Sequence, residues 1–286
     1  MDQPRTALRF ADAGSGAGWR RLCDYTEPVS GVLARRESAP AGVPLILTWS
    51  GTLTVGGSRF DAGFVAGPAD RYADTLAGGV ARGVQVDLTW YGARRLLGVP
   101  LDELAHRHVA VEDLWGRSGR HLLDRLAGTD DAGDRLDVVE SFLRDRLERR
   151  DVVPSVVAGA AALLHRHRGR LGVADLADRL GYGRQYVHRQ VTRHLGLPPR
   201  TLARLLRFDA VAGAVRGGRV AELGWAGLAA AAGYADQPHL HREFRALAGL
   251  TPAQALQAWG SDIHPIPQPA AARSVTGYPG TREGNP

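Results

Sequence analysis

LGVADLADRLGY at residues 171–182 returns as LGWAGLAAAAGY at residues 223–234. The offset is 52, and the shared frame is Leu-Gly-x-Ala-x-Leu-Ala-x-x-x-Gly-Tyr. Past the tyrosine the match resumes at offset 53: His188-Arg189 falls on His241-Arg242, Val191 on Phe244, Gly196-Leu197 on Gly249-Leu250, and Pro199 on Pro252. One residue has been added in the turn of the second copy. The same unit of roughly 30 residues is present twice, and self-similarity at such a period signals a repeated supersecondary structure.

Each unit reads as helix, tight turn, helix. Ala177 lies four residues before Gly181, so a second helix can cross the first closely. Gly181 and its counterpart Gly233 can take the positive φ that a sharp turn between helices needs. The second helix of each unit repeats apolar residues at helical spacing: Val187, Val191 and Leu195, then Leu240, Phe244 and Leu247. Gly196 and Gly249 follow as C-terminal caps, and Pro199 and Pro252 stop continuation. Asp236 suits an N-cap, which places Pro238 in the first turn of its helix, where it is tolerated.

This pattern also disposes of a tempting metal site. His239 and His241 sit two residues apart, with Asp236 and Glu243 nearby. Two helical steps turn a side chain by about 200°, so the two imidazoles point to nearly opposite sides. The faces left outward are polar, planar or cationic: Gln185, His188, Arg189, Thr192 and Arg193 in copy one, and Gln237, His239, His241, Arg242 and Arg245 in copy two. These residue types read base edges and phosphates, arginine pairing with guanine and glutamine with adenine.

The charge distribution agrees. All 36 basic residues are arginine. Residues 1–150 hold 20 Arg against 21 acidic residues, whereas 151–260 hold 14 Arg against 7. The excess positive charge therefore sits on the segment with the repeats, as expected of a domain that neutralises a polyanion. The Arg, Ala and Gly usage suggests a GC-rich bacterial genome. One cysteine, Cys23, allows no intrachain disulfide. The N-terminus MDQPRTALRFADAG reads as no signal peptide, and the longest apolar run, near Val156–Leu164, is about half the roughly 18 residues a membrane span needs. A soluble, cytoplasmic protein is expected.

The two stretches LADRLGYGRQYVHRQVTRHLGLPPRTLARLLRFDAV and LAAAAGYADQPHLHREFRALAGLTPAQ resemble the AraC/XylS family of bacterial transcription regulators, the second ending in the family's Gly-x-Thr-Pro. The resemblance covers about 100 residues, from near Val156 to near Ala258. It implies two helix-turn-helix units, about 171–196 and 223–249, joined by a long helix over Arg200–Val215 with Leu202, Leu205, Leu206 and Val211 as its buried stripe. It implies double-stranded DNA as partner and carries base reading onto Gln185, His188 and Arg189, and onto Gln237, His239 and Arg242. Gly183 stands where the family often has a capping serine. An activator of this kind would also meet RNA polymerase.

The first half reads as strands, then helices. Pro44–Val55, Phe64–Gly67 and Gly83–Thr89 carry strand patterns; Tyr91–Leu97, Leu101–His106, 119–127 and Arg135–Arg149 carry helical ones. It resembles the cupin-like sensor domains that precede such DNA-binding domains, and these bind an effector, mediate homodimerisation, or both. The expected fold is thus multidomain: an α+β, cupin-like sensor over 1–150, an all-α double helix-turn-helix domain over 151–260, and a Pro/Gly-rich disordered tail over 261–286. Trp49, Phe64, Tyr72 and Trp90 are the aromatic candidates for a ligand pocket. No cofactor, metal or catalysis is expected. The alternative is a metal-dependent cupin-type enzyme using His106, His108 and Glu112, which match much of His-x-His-x3-Glu. Against it, Pro100 stands where that motif begins with glycine, and no further histidine follows in place. A DNA-repair methyl acceptor would need nucleophilic cysteines, and Cys23 is alone.

Overall fold

The computed structural model describes residues 7–10, 18–148 and 153–259. The expected 261–286 tail lies outside these residues, as does the 150/151 boundary between the expected domains.

The first half is one antiparallel sheet with helices. Its strands are β1 (Ala7–Phe10), β2 (Trp19–Glu37), β3 (Val43–Val55), β4 (Ser58–Phe60), β5 (Phe64–Ala66), β6 (Ala73–Leu88) and β7 (His108–Ala110). Among the described residues the order is β1-β2-β6-β3-β5-β7, with β4 pairing β3. Side chains alternate across the pleat, so each strand supplies two different surfaces. Leu22, Val86, Leu45 and Val65 form one register row across four strands, and all are buried. Burial of each such side chain contributes about 1.5–3 kcal/mol. That face packs against α1 (Trp90–Leu97), α2 (Val111–Trp115), α3 (Arg117–Ala127) and α4 (Ala132–Glu148). Asp24 shares this inward face, fully buried, and is compensated by Arg135 of α4 at 2.5 and 3.1 Å.

The second half is helical: α5 (Ser155–Arg166), α6 (Val173–Leu180), α7 (Arg184–Leu195), α8 (Pro199–Arg216), α9 (Val220–Ala232), α10 (Gln237–Ala248) and α11 (Pro252–Trp259). The helix over 200–215 is present as α8, and Leu202, Leu205, Leu206 and Val211 are buried in it. Gly181 and Gly233 both take the left-handed conformation, at φ 72° and 80°, and each turns its first helix into its second. Gly224 breaks α9 at φ 62°, so the second unit's first helix effectively begins where Gly172 starts the first unit's. Asp236 caps α10 by accepting from the His239 N–H at 2.6 Å, whereas Gly183 gives α7 no side-chain cap. Thr251 and Gln254 cap α11 reciprocally: the Thr251 N–H donates to Gln254 Oε1, and the Gln254 N–H to Thr251 Oγ1.

Candidate DNA-reading surface and the cavity behind it

α7 and α10 each bury one stripe and expose the opposite one. Val187, Val191 and Leu195 are fully buried in the first unit, and Leu240, Phe244 and Leu247 in the second. Phe244 meets Phe208, Trp225 and Trp259 at centroid distances of 5.1, 5.6 and 6.0 Å, which ties α10 to α8, α9 and α11. Glu243 is buried as well, accepting from Arg204 Nε of α8 at 2.8 and 3.0 Å. These contacts fix the rotation of α10 and hence which residues face out.

Gln185, His188, Arg189 and Arg193 are exposed along α7, and Arg242 and Arg245 along α10. Gln237 is half-buried and lies 3.2 Å from His241 Nε2, and these two line a shallow depression with Pro238, Arg242 and Arg245. His239 is half-buried and packs edge-on against Tyr234 at 5.2 Å. Thr192 departs from the outward reading: its hydroxyl is buried and finds no hydrogen-bond partner among the described residues. The reason is angular, since Thr192 follows the core residue Val191 by only 100° of helix. Two aromatic residues on the first unit were not anticipated. Tyr182 and Tyr186 pack at a tilt with ring centroids 5.3 Å apart, and the Arg189 guanidinium lies 5.7 Å over the Tyr186 ring.

The other face of the sheet meets α8 across a cavity of about 470 Å³. Its polar wall includes Arg20, Arg21, Arg35, Glu37 and Asp209; its apolar wall includes Ile46, Leu53, Val55 and Phe64. Arg20 donates to Asp209 at 3.0 Å, Arg21 pairs with Asp87 at 2.7 Å, and Arg20 Nε is buried with no hydrogen-bond partner among the described residues. Burial pushes the Glu37 carboxyl above its ordinary range, against the opposing pull of Arg35 and Arg216. Of the four aromatic pocket candidates, Phe64 lines this cavity. Trp90 is buried in the core on the opposite side of the sheet, Trp49 lies under Arg135, and Tyr72 under Arg36. The polar residues of the wall escaped the sequence reading. A signal existed: Leu202, Leu205, Asp209, Ala212 and Arg216 share one helical stripe of α8, and two of them are charged.

The histidine motif does not assemble. His106 lies outside β7 with a left-handed backbone at φ 59° and faces Asp70 at 3.9 Å. His108 lines the cavity, and burial lowers its proton affinity. Glu112 faces Arg120 at 3.6 Å. Among the described residues, no group of three His, Cys, Asp or Glu side chains could hold a metal ion. Cys23 is buried, and burial raises its thiol to about 11, which leaves little thiolate at neutral pH. No described helix is long and apolar enough to cross a membrane.

A helix-turn-helix fold with two arginine-bearing second helices defines a DNA-binding domain. The profile of the family described as "Helix-turn-helix domain" matches residues 176–258, and this C-terminal region is an AraC-type helix-turn-helix domain. The chain is similar to the solved structure of ToxT from Vibrio cholerae O395, at 9% identity over 84% of this chain and 98% of that one, with a TM-score of 0.49. It is similar also to wild-type ToxT from V. cholerae strain SCE256 solved with an unsaturated fatty acid, at 11% identity over 90% and 97%, TM-score 0.49. The AraC-like transcriptional activator CuxR follows at 13% identity over 65% and 79%, TM-score 0.31. No curated protein matches the chain.

Proposed function

We propose that this chain is a cytoplasmic transcription regulator in which residues 151–260 read DNA and residues 1–150 sense or dimerise. The observation that carries the reading is the matched pair α7 and α10. Each is locked by a buried stripe and turns arginine outward, on the more basic part of the chain. Phosphate contacts supply affinity, and side chains on two base-facing helices supply specificity. Units in tandem suit two major-groove segments about one helical turn, roughly 34 Å, apart. Homodimerisation through the first half and contact with RNA polymerase belong to this reading, and catalysis does not. Sequences selected by the purified chain from a random DNA pool at about 150 mM salt should hold two blocks about 10 bp apart. Binding without any recovered motif, lost as salt rises, would contradict it.

The cavity is our proposed effector site. Its charged and apolar walls suit a small molecule with a polar head and an apolar body. Because α8 forms one wall and joins the two units, occupancy can bias how the reading helices are held. Monocarboxylates of graded chain length should raise the melting temperature and change affinity for the selected site. If none does either, the cavity has no such role.

A further inference from the structure

The two units hold their homologous arginines differently. In the first, the Tyr182 and Tyr186 rings pack at a tilt with centroids 5.3 Å apart, and Arg189 lies 5.7 Å over the Tyr186 ring. Tyr182 is 44% exposed, so this aromatic pair stands at the outer surface of the unit. The repeat register makes His239 the counterpart of Tyr186 and Arg242 the counterpart of Arg189. Tyr234, the counterpart of Tyr182, is buried, and His239 is drawn in against it. Among the described residues no aromatic ring lies under Arg242. One arginine is backed by a ring and the other is exposed without one.

A guanidinium held over a ring by cation–π attraction has fewer rotamers to lose on binding. An arginine must hold its planar donor edge in the plane of guanine to pair with both O6 and N7. An arginine without a ring reaches a phosphate as easily as a base. Resting on the DNA-reading function above, we propose that Tyr186 is a positioning residue that fixes Arg189 for guanine. The first unit is then the sharper base reader, and the second makes a larger share of its contacts to phosphate.

The experiment uses the full chain and the DNA site it selects. Arg189→Ala first identifies the guanine whose replacement by adenine no longer matters. Tyr186→Ala is expected to lower the guanine-over-adenine preference at that position about two- to fivefold, leaving affinity for random DNA unchanged. Tyr186→Phe keeps the ring and should keep the preference. The double variant Tyr186→Ala/Arg189→Ala should lose no more preference at that position than Arg189→Ala alone. The proposal is overturned if Tyr186→Ala retains full preference there. It is equally overturned if affinity falls alike at every position, second block included, since Tyr186 would then only support the helix. A wild-type chain that selects no motif would overturn the DNA-reading function itself. Melting curves of each variant confirm that folded protein is compared.

Discussion

Arg20 on β2 and Asp209 on α8 form an ion pair at 3.0 Å, although 189 residues separate them in the chain. It spans the rim of the cavity and is one of several links between the halves. Arg204 reaches Asp70 at 3.8 Å, Arg36 donates to the Gly249 carbonyl at 3.3 Å, and the Ala39 N–H to the Leu247 carbonyl at 2.7 Å. The Arg20 and Asp209 side chains are 37% and 42% exposed, so solvent screens their attraction. A double-mutant cycle with Arg20→Gln and Asp209→Asn, followed by urea unfolding, should give a coupling below about 1 kcal/mol that shrinks in high salt. A coupling indifferent to salt would mean the pair acts through packing.

Asp24 and Arg135 differ in kind. The carboxylate is fully buried and has no water to fall back on. Arg135→Leu should therefore cost about 3–5 kcal/mol, and changing Asp24 and Arg135 together to leucine should recover much of it. Guanidinium unfolding midpoints of the three proteins decide this. A single variant close to wild type would show that Asp24 is compensated elsewhere.

Arg189→Ala and Arg242→Ala should each weaken binding to the selected site by about 1–3 kcal/mol, with the larger relaxation of local base preference in Arg189→Ala. Fluorescence anisotropy against the selected site and scrambled DNA provides the comparison. Equal losses on both DNAs would assign the residue to phosphate.

His165 makes the fold acid-sensitive. Burial first, and Arg20 second, lower its proton affinity in the folded chain. Nε2 is buried with no hydrogen-bond partner among the described residues, and the ring sits 5.7 Å from Trp90. The unfolded chain therefore binds the proton more readily. Stability is present above the unfolded value, about 6.5, and is lost as pH falls through the lower folded value. Between about pH 7.5 and 5, the melting temperature of His165→Leu should fall less than that of wild type. Parallel falls would place the acid sensitivity elsewhere.

Two glycines that both flank α7 should respond oppositely. Gly183 has extended backbone at the helix start and open space around a Cβ. Gly183→Ser supplies the missing cap and should stabilise by about 0.5 kcal/mol. Gly196 ends α7 at φ 85°, where a Cβ would lie 2.6 Å from Pro68 Cγ and 2.8 Å from the Leu101 carbonyl. Gly196→Ala should cost about 1–3 kcal/mol, read by thermal unfolding. A neutral result would mean the halves separate easily at this contact.

The sequence by itself determined the second half of this protein. Its two units, their turns at Gly181 and Gly233, the Asp236 cap, the α8 stripe and the outward arginines follow from local rules of helix period and capping, which act within a few residues. The first half was legible only in part. β2 went unread because its outward alternation, Arg21, Tyr25, Arg35 and Glu37, is polar where a strand is expected to show a simple apolar face. Those residues are sensible only once α8 closes over them. His106-x-His108 looked like one strand face, and a left-handed turn at His106 removed it from that strand. Only the tertiary structure placed Asp209 against Arg20 and Asp24 against Arg135, whereas the approach of Arg189 to Tyr186 and the inward turn of Thr192 follow from the helix period within α7. Periodicity states which face of an element is buried, whereas a cavity or an ion pair depends on which element arrives from elsewhere in the chain.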